Sequence, residues 1–241
     1  MRHVPSVLLA AAVVLTTAYA GPAHAAPTTV ARPAAGLVRL DGVRVRLRPG
    51  TRQVVTARHT TGWHAHLVLW RLEDGRWRPT ASADDGRTGA GGLVRGTRRR
   101  QGTDTTPLGT YGLISAFGTH ARSGGWHLPY RRIRPGDFWV EDNGSRFYNR
   151  YRNQRQGGFR WRLPAGATNG SERLSDYPTQ YEYAIVTSFN QQQVRHRGAG
   201  IFLHVNGGGA TGGCVSGPRW FLRTVLARLR PALHPLIAVG R

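Results

Sequence analysis

Apolar and polar residues alternate along much of the chain, as expected of β-strands that bury one face. Val43, Val45 and Leu47 alternate with arginines, and turn residues at 73–75 separate two apolar runs, which predicts a β-hairpin there. Further strands are predicted at 111–117, 138–140, 183–186, 201–205 and 236–239. Long polar loops with scattered aromatic residues separate them, above all at 143–175. Loops of this length in a compact domain commonly form the walls of a binding site.

One segment has the spacing of an amphipathic helix. Its apolar residues fall on one face and its arginines on the other, between Ser216 as the predicted N-cap and Pro231 as the residue that ends it. Pro218 suits the first turn of such a helix. The sequence therefore predicts a mainly β domain with one helix, which follows the only cysteine, Cys214.

The N-terminal residues have the features of a targeting segment. A basic start leads into an apolar run at 7–20, which is too short to span a bilayer comfortably. Small residues predict cleavage after Ala25, so we expect 1–25 to be a signal peptide, and an uncleaved membrane anchor is the alternative. Residues 26–36 are rich in Ala, Pro and Thr and predict a flexible linker, while 37–241 has the length of a single domain. We therefore expect an exported protein.

The net charge of the chain is +22, and all 34 of its Lys or Arg positions are arginine. The arginines are scattered from Arg39 to Arg241 rather than gathered in one stripe, so the charge does not indicate a nucleic-acid-binding face. A positive field still raises the local concentration of anionic partners. We expect a polyanionic wall or membrane surface as a partner, and no nucleic acid.

The single cysteine is the most informative feature of the composition. An exported chain with one cysteine cannot form an internal disulfide, and Cys214 lies among glycines rather than in an apolar strand. A glycine-rich loop of nine residues separates it from His204, near the end of a predicted strand, and this loop can fold the thiol back onto the imidazole. His204 would then take the thiol proton, and the N-terminus of the following helix would lower the pKa of Cys214. The N–H groups of Gly212 and Gly213 would form the oxyanion hole.

Two other patterns are less specific. The glycines at 207–212 match the spacing of a dinucleotide-binding loop, but that fold needs an acidic residue about twenty positions on, and 201–241 contains none. His59, His64 and His66 suggest a metal site, yet the chain has no HExxH or paired CxxC motif, and these histidines fit solvated strand faces better. We expect neither a metal ion nor an organic cofactor.

From 93 to 240 the chain resembles the L,D-transpeptidase catalytic domain, whose members cross-link peptidoglycan through a thioester. The resemblance rests on the turn at 106–111, on the strand that ends near His204, and on Thr-Gly-Gly-Cys-Val at 211–215, which is similar to the family's Ser/Thr-His-Gly-Cys signature. The segments that look like an arginine-rich, exported branch of the family are 99–102, 139–142, 148–149 and 171–174. Gly212 replaces the second histidine of the signature, and the loop from histidine to cysteine is shorter than usual.

The resemblance implies a sandwich-like, mainly β domain with one helix after the catalytic cysteine. It implies that Cys214, activated by His204, attacks the carbonyl at the L-centre of a diamino acid in a stem peptide and expels D-alanine. The amine of a second stem would then resolve the thioester into a cross-link. The residues expected to contact substrate are Thr211, Trp139, Tyr148 and Glu172. Peptidoglycan stem peptides and the anionic cell wall are the expected partners of a secreted, wall-located monomer.

Alternatives remain beside this hypothesis. An L,D-carboxypeptidase would use the same thioester with water as the acceptor, and the sequence does not separate the two enzymes. A non-catalytic wall-binding module would stack aromatic side chains such as Trp126, Tyr130 and Trp139 on sugars, with Cys214 incidental. A papain-like endopeptidase is disfavoured because its cysteine precedes its histidine, and His234 is the only histidine after Cys214.

Overall fold

The predicted alternation produces a set of strands in the structure, most of which join one sheet. The computed structural model describes Met1 and residues 35–241, and the residues from 35 onwards belong to one compact unit, Arg32–Arg241. In chain order the strands are β1 (Gly36–Leu40), β2 (Val43–Leu47), β3 (Gln53–His59), β4 (His64–Glu73), β5 (Arg76–Arg87), β6 (Leu93–Arg95), β7 (Thr106–Gly118), β8 (Tyr130–Arg132), β9 (Asp137–Trp139), β10 (Tyr151–Asn153), β11 (Glu172–Arg173), β12 (Ala184–Thr187), β13 (Phe202–Val205), β14 (Val215–Gly217) and β15 (Leu236–Gly240). One α-helix, α1 (Arg219–Arg228), lies between β14 and β15. The predicted mainly β class with one α-helix is confirmed for the described residues.

The main sheet closes on itself through its strand pairings. Neighbouring strands follow the order β12, β13, β14, β5, β4, β3, β15 and β7. The long strand β7 completes the circuit because it pairs antiparallel with β15 around Tyr111 and with β12 around Ala116. The short strands β6 and β8 add to β7 in parallel. The sequence pattern does not predict this closure.

The predicted hairpin at 73–75 joins β4 to β5, with Glu73 opposite Arg76. Its two turn residues, Asp74 and Gly75, both have a positive φ, at 49° and 72°. Asp-Gly is the residue pair that two-residue hairpin turns of this twist favour. The local sequence therefore determines the register next to the turn, and the pairing shifts register further along, between Ala65 and Leu67 and between Leu69 and Trp70.

The strand β13 separates two apolar clusters because its side chains alternate between the faces of the sheet. Leu203 and Val205 belong to the cluster that α1 covers. The helix contributes Phe221, Leu222, Val225 and Leu226 to that cluster. Phe202 and Cys214 belong to the other cluster, against which a small sheet of β10, β9 and β11 packs. His204 lies two positions from Phe202, so it faces this second cluster, away from α1.

The helix begins later than predicted. Ser216 is not its N-cap but lies in β14, where it pairs with His204 and donates its hydroxyl to Asn206 Oδ1 at 2.7 Å. α1 starts at Arg219 after Pro218, which occupies the N-cap position without a side-chain hydrogen bond. A three-residue strand therefore stands between the cysteine and the helix.

The predicted signal peptide at 1–25 lies outside the described residues, apart from Met1. The predicted linker at 26–36 also lies outside them, except for its last two residues, and Gly36 already belongs to β1. Both stay predictions. Within the described part of the chain, no helix has the length and apolarity needed to cross a bilayer.

Candidate active site

A tight loop holds Cys214 at the start of β14. The strands β13 and β14 run parallel, so the chain must return along the sheet between them, and it does so through the glycine-rich loop 206–214. Gly213 adopts a φ of 124°, which a side chain would strain. Two threonine hydroxyls donate to the Cys214 carbonyl, from Thr211 at 2.7 Å and from Thr106 at 3.3 Å. Side chains from two separate segments therefore hold the backbone at the cysteine.

The Cys214 thiol is buried and hydrogen-bonded in the resting site. It donates to the Gly200 carbonyl at 3.1 Å and accepts the Phe202 N–H at 3.2 Å. Burial raises the pKa of the thiol far above its usual range, and the Glu172 carboxylate raises it further. The predicted lowering of this pKa is therefore wrong for the resting site. Its assumed cause is absent, because β14 separates the cysteine from α1.

His204 is buried in the sheet, where β13 pairs it with Ala184 of β12 and Ser216 of β14. Its Nδ1 lies 2.8 Å from the Val205 carbonyl oxygen, and because that oxygen can only accept, Nδ1 carries the proton. Burial lowers the pKa of His204 to about 4, and the Val205 hydrogen bond offsets this only in part. The imidazole is therefore neutral at physiological pH, with an unprotonated Nε2 that can accept a thiol proton.

One cavity of about 780 Å³ brings five of the predicted site residues together. Its lining includes Cys214, His204, Thr211, Gly212 and Glu172. The thiol and the imidazole share this space, although among the described contacts the thiol proton is directed to a backbone carbonyl rather than to the ring. Gly213 does not line the cavity, and its N–H donates to Thr211 Oγ1 at 3.1 Å. The loop itself therefore uses the Gly213 N–H that was predicted to face an oxyanion.

Trp139 and Tyr148, which were predicted as substrate contacts, do not line this cavity, and Trp139 lines a second cavity of about 330 Å³. Tyr148 has no exposed surface, and its hydroxyl donates to Gln101 Oε1 at 2.9 Å. Trp139 packs edge-on against Phe202, and its Nε1–H donates to Asn149 Oδ1 at 2.9 Å. Each aromatic ring finds apolar neighbours and a polar partner inside the protein. Both rings are therefore held in place by contacts within the protein.

Glu141 and Tyr181 also line the cavity and were not predicted as site residues. Tyr181 donates its hydroxyl to Glu172 Oε1 at 2.5 Å, and its ring stands edge-on to the His204 ring with centroids 5.5 Å apart. Burial raises the pKa of both glutamate carboxyls, and the charge of Glu172 adds to the effect at Glu141. The sequence did contain a signal for Glu141, because a chain with only 12 acidic residues places one directly after a predicted strand.

Arg99 is a buried cation beside the cysteine loop, with 4% of its surface exposed. Its guanidinium donates to three backbone carbonyls, those of Thr105 (2.8 Å), Arg197 (3.2 Å) and Gly212 (3.5 Å). Burial lowers its pKa, and the ionisable groups of Cys214 and Glu141 oppose that shift when they carry a negative charge. Arg99 therefore both holds the loop and supplies positive charge near the sulfur. It sits in a run of three arginines, so the sequence does not distinguish it from its exposed neighbours.

The histidines near the N-terminal strands have other partners. His66 bonds Asp41 through Nδ1 at 2.7 Å, and His64 stacks on Trp63 with ring centroids 3.9 Å apart. His59 bonds a backbone carbonyl at 2.8 Å. Within the described residues, no group of three or more His, Cys, Asp or Glu side chains is arranged to hold a metal ion.

No protein-family profile matches the chain, and no curated protein matches it. Among solved structures, the chain is similar to the crystal structure of Mycobacterium tuberculosis L,D-transpeptidase 1, at 11% identity and with a TM-score of 0.35. The match covers 79% of this chain and 62% of that chain, so this chain spans less than two thirds of the length of that protein. The function proposed below rests on the cavity and its residues, not on this likeness.

Proposed function

We propose that this chain is a cysteine acyltransferase of the bacterial cell wall, an L,D-transpeptidase that forms peptidoglycan cross-links through a thioester on Cys214. The observation that carries the proposal is the cavity shared by a thiol and by an imidazole whose Nε2 is unprotonated. The resemblance of 106–111 and 211–215 to L,D-transpeptidase motifs supplies the reaction class. Export, a location at the anionic wall, a monomeric state and the sandwich-like form of the domain belong to the same proposal.

In the proposed acylation, the thiol turns from the Gly200 carbonyl towards His204, and Nε2 takes its proton. The sulfur attacks the carbonyl carbon at the L-centre of the diamino acid, which forms the C–S bond and an oxyanion. The imidazolium then gives the proton to the departing nitrogen, the C–N bond breaks, and D-alanine leaves. Because the thiol and the imidazole are both neutral at rest, their ion pair forms only as the substrate is attacked.

The proposed oxyanion donors are the N–H groups of Gly212 and Cys214. Gly212 lines the cavity, whereas the Gly213 N–H is engaged with Thr211. The hydrogen bond from Arg99 to the Gly212 carbonyl holds the peptide unit between Gly212 and Gly213, which adjoins the Gly212 N–H. Donors held in this way stabilise the tetrahedral intermediate, and losing one of them typically slows acyl transfer by about 10²–10³-fold.

Transpeptidation is proposed rather than hydrolysis because the cavity is large. Its volume of about 780 Å³ lies in the upper part of the range for small-molecule sites, and the proposal requires it to hold an acceptor beside the donor stem. The binding-module alternative needs exposed aromatic faces. Of the residues named for it, Trp126 and Trp139 are 8% and 6% exposed, so neither offers a ring to a sugar, and Trp220, which is 50% exposed, lies on α1.

Product analysis separates these functions. The wild-type protein, given a tetrapeptide muropeptide, is expected to release D-alanine and to accumulate a dimer joined between two diamino acids. Cys214→Ala and His204→Gln are expected to form neither product at a comparable rate. Tripeptide as the only product at high acceptor concentration would identify a carboxypeptidase, and no turnover of several stems would favour a binding module.

A further inference from the structure

The carboxylates of Glu141 and Glu172 emerge from one face of the small sheet into the Cys214 cavity. Glu172 pairs with Trp139 across β11 and β9, and Glu141 lies two residues beyond Trp139, so the two glutamates share a face. The N–H of Glu141 donates to the Ser171 hydroxyl at 3.1 Å, which keeps the two segments together past the end of the strand pair. Both glutamates line the cavity.

These carboxylates border the candidate nucleophile and base. A Cβ on Gly200 would lie 2.9 Å from Glu141 Oε1, so this carboxylate rests against the residue whose carbonyl accepts the Cys214 thiol. Glu172 accepts the hydroxyl of Tyr181, whose ring stands edge-on to His204. A group bound between the two carboxylates would therefore lie next to the residues that carry the thioester chemistry.

Neither carboxylate of the pair forms an ion pair with a side chain of the described residues. Within residues 35–241 the ion pairs involve other acidic residues, and neither Glu141 nor Glu172 takes part in one. Arg99 is the buried cation that acts on Glu141, but its guanidinium is bonded to backbone carbonyls. Two neighbouring carboxylates that have no cationic side chain paired with them oppose each other's ionisation. A ligand with a positive charge would relieve this opposition.

A primary ammonium suits the pair better than a metal ion does. Two carboxylates and a phenol are too few for Ca²⁺, which takes roughly six to eight oxygen ligands. An ammonium has three N–H donors, which match acceptors on two carboxylates. The proposed cross-linking step also consumes an amine, which is protonated at neutral pH and becomes a nucleophile only after it loses a proton.

We propose that Glu141 and Glu172 form the acceptor subsite of the cavity, where they hold the primary ammonium of the second substrate and Glu172 takes its proton before attack. This inference rests on the proposed function and names the residues that select its acceptor. The predicted substrate contact at Glu172 thereby acquires a definite ligand, an ammonium group rather than the donor stem.

The ammonium gives one proton to the Glu172 carboxylate and becomes an amine, whose lone pair attacks the thioester carbonyl. The attacking nitrogen gives a second proton to His204 Nε2 as the C–N bond forms and the C–S bond breaks. The imidazolium returns that proton to the Cys214 thiolate, and the Glu172 carboxyl releases its proton to water. One ammonium and one thioester thus yield one amide, one thiol and one proton.

The first test compares the two products that form from one acyl-enzyme, the amide with the acceptor and the tripeptide from hydrolysis. Wild type, Glu141→Gln, Glu172→Gln and the surface control Glu73→Gln receive the tetrapeptide donor with Nα-acetyl-lysine amide as acceptor, and mass spectrometry quantifies the amide product and the tripeptide. Both products come from one thioester, so their ratio is independent of the rate of acylation. We expect the ratio to fall about tenfold or more in the two cavity variants, the effect of losing one charged partner, and to stay at the wild-type value in Glu73→Gln.

The pH profile of the same ratio separates a proton acceptor from a structural role. In wild type the ratio is expected to rise as Glu172 ionises and then to level off. In Glu172→Gln the ratio is expected to follow the fraction of acceptor amine that is unprotonated, and so to keep rising towards the amine pKa of about 10. A profile in Glu172→Gln that has the wild-type shape would overturn the proton-accepting role.

Binding without turnover provides an independent measurement. Full-length Cys214→Ser is titrated by NMR with Nα-acetyl-lysine amide, with its uncharged norleucine analogue, and with calcium chloride alone. The lysine compound is expected to bind more tightly than the norleucine compound, and this preference is expected to vanish when Glu141→Gln or Glu172→Gln is added.

The outcomes distinguish this inference from the proposed function. A thioester that forms in wild type, together with an unchanged product ratio in both glutamine variants, overturns the acceptor subsite and leaves the acyltransferase intact. Equal binding of the two amides, or binding of calcium at the pair without binding of the lysine compound, also overturns it. A wild-type protein that forms no thioester contradicts the proposed function, and the titration then still decides whether the pair binds an ammonium.

Discussion

Cys214 and Gly200 are joined by a hydrogen bond in which the thiol donates to the backbone carbonyl at 3.1 Å. The thiol is therefore held as a neutral donor, with its proton directed away from the His204 ring. The imidazole is neutral as well, because its Nδ1 proton is bonded to the Val205 carbonyl and burial lowers the pKa of the ring. The resting site thus stores both reactive groups uncharged inside the protein, and activation requires the thiol to turn when a substrate fills the cavity.

The first prediction is that the thiol of the substrate-free protein is slow to alkylate at neutral pH. Burial raises the pKa of Cys214, and Glu172 raises it further, so the apparent pKa is expected above about 8.5, the value of a free cysteine. Removing the carboxylate charge in Glu172→Gln is expected to lower it. Intact mass after iodoacetamide treatment across a pH series measures both effects, with Cys214→Ser as the unreactive control. An alkylation rate that no longer increases with pH above pH 7 would contradict a raised pKa of Cys214.

The second prediction concerns the base. His204→Gln is expected to reduce the rate of Cys214 acylation by about 10²–10⁴-fold, the usual contribution of a positioned general base. His127→Gln is the matched control, since His127 is exposed at the surface. Rapid-quench mass spectrometry of the acyl-enzyme gives the rates. Equal acylation by wild type and His204→Gln would remove His204 from the mechanism.

The third prediction links His204 to stability. Its pKa in the folded protein, about 4, lies below the unfolded value near 6.5, so the unfolded chain binds the proton first as the pH falls. The contribution of the neutral His204 ring to the free energy of unfolding is therefore complete above pH 6.5 and is lost as the pH falls towards 4. Between pH 7.5 and pH 5 wild type is expected to lose about 2 kcal/mol more unfolding free energy than His204→Gln. Urea unfolding at the two pH values measures this, and parallel losses would show that the ring titrates normally.

The fourth prediction separates Arg99 from the neighbouring arginines. Arg99→Lys keeps the positive charge, but a lysine ammonium cannot donate to three carbonyls in the way that the planar guanidinium does. The substitution is therefore expected to cost roughly 2–4 kcal/mol of unfolding free energy. Arg100→Lys changes an exposed side chain and is expected to cost less than about 0.5 kcal/mol. Denaturant unfolding of both variants decides this. Equal stabilities would mean that the carbonyls of the cysteine loop do not depend on the guanidinium.

Local pattern was enough to predict the parts of the fold that depend on neighbouring residues. Val43, Val45 and Leu47 are buried on one face of β2, as their alternation predicts, and Asp74-Gly75 forms the hairpin turn. Closure of the sheet depends on β7 pairing with β12 and β15, which come far later in the chain. No local pattern encodes such a pairing, so the sequence could not predict it.

The sequence could likewise predict only part of the candidate site. The lone Cys214, the glycine loop and His204 lie within eleven positions, and the sequence could predict that they meet in one cavity. Trp139 and Tyr148 were expected to contact substrate from the family resemblance, and in the structure their polar groups have partners in the interior. Glu141 and Arg99 reach the cavity from distant segments, and only the folded chain reveals that both line it and that Arg99 is buried beside the loop.

The central claim is that Cys214 forms a thioester with a stem peptide, and intact-mass spectrometry tests it most directly. Wild type, Cys214→Ala and His204→Gln are mixed with a tetrapeptide stem that contains a diamino acid at its third position, and each is quenched in acid over a time course. Wild type is expected to gain the mass of the tripeptide acyl group, with D-alanine released in equal amount. The adduct should be labile to hydroxylamine and absent from Cys214→Ala. A wild-type mass that never changes, or the same adduct on Cys214→Ala, would contradict the account.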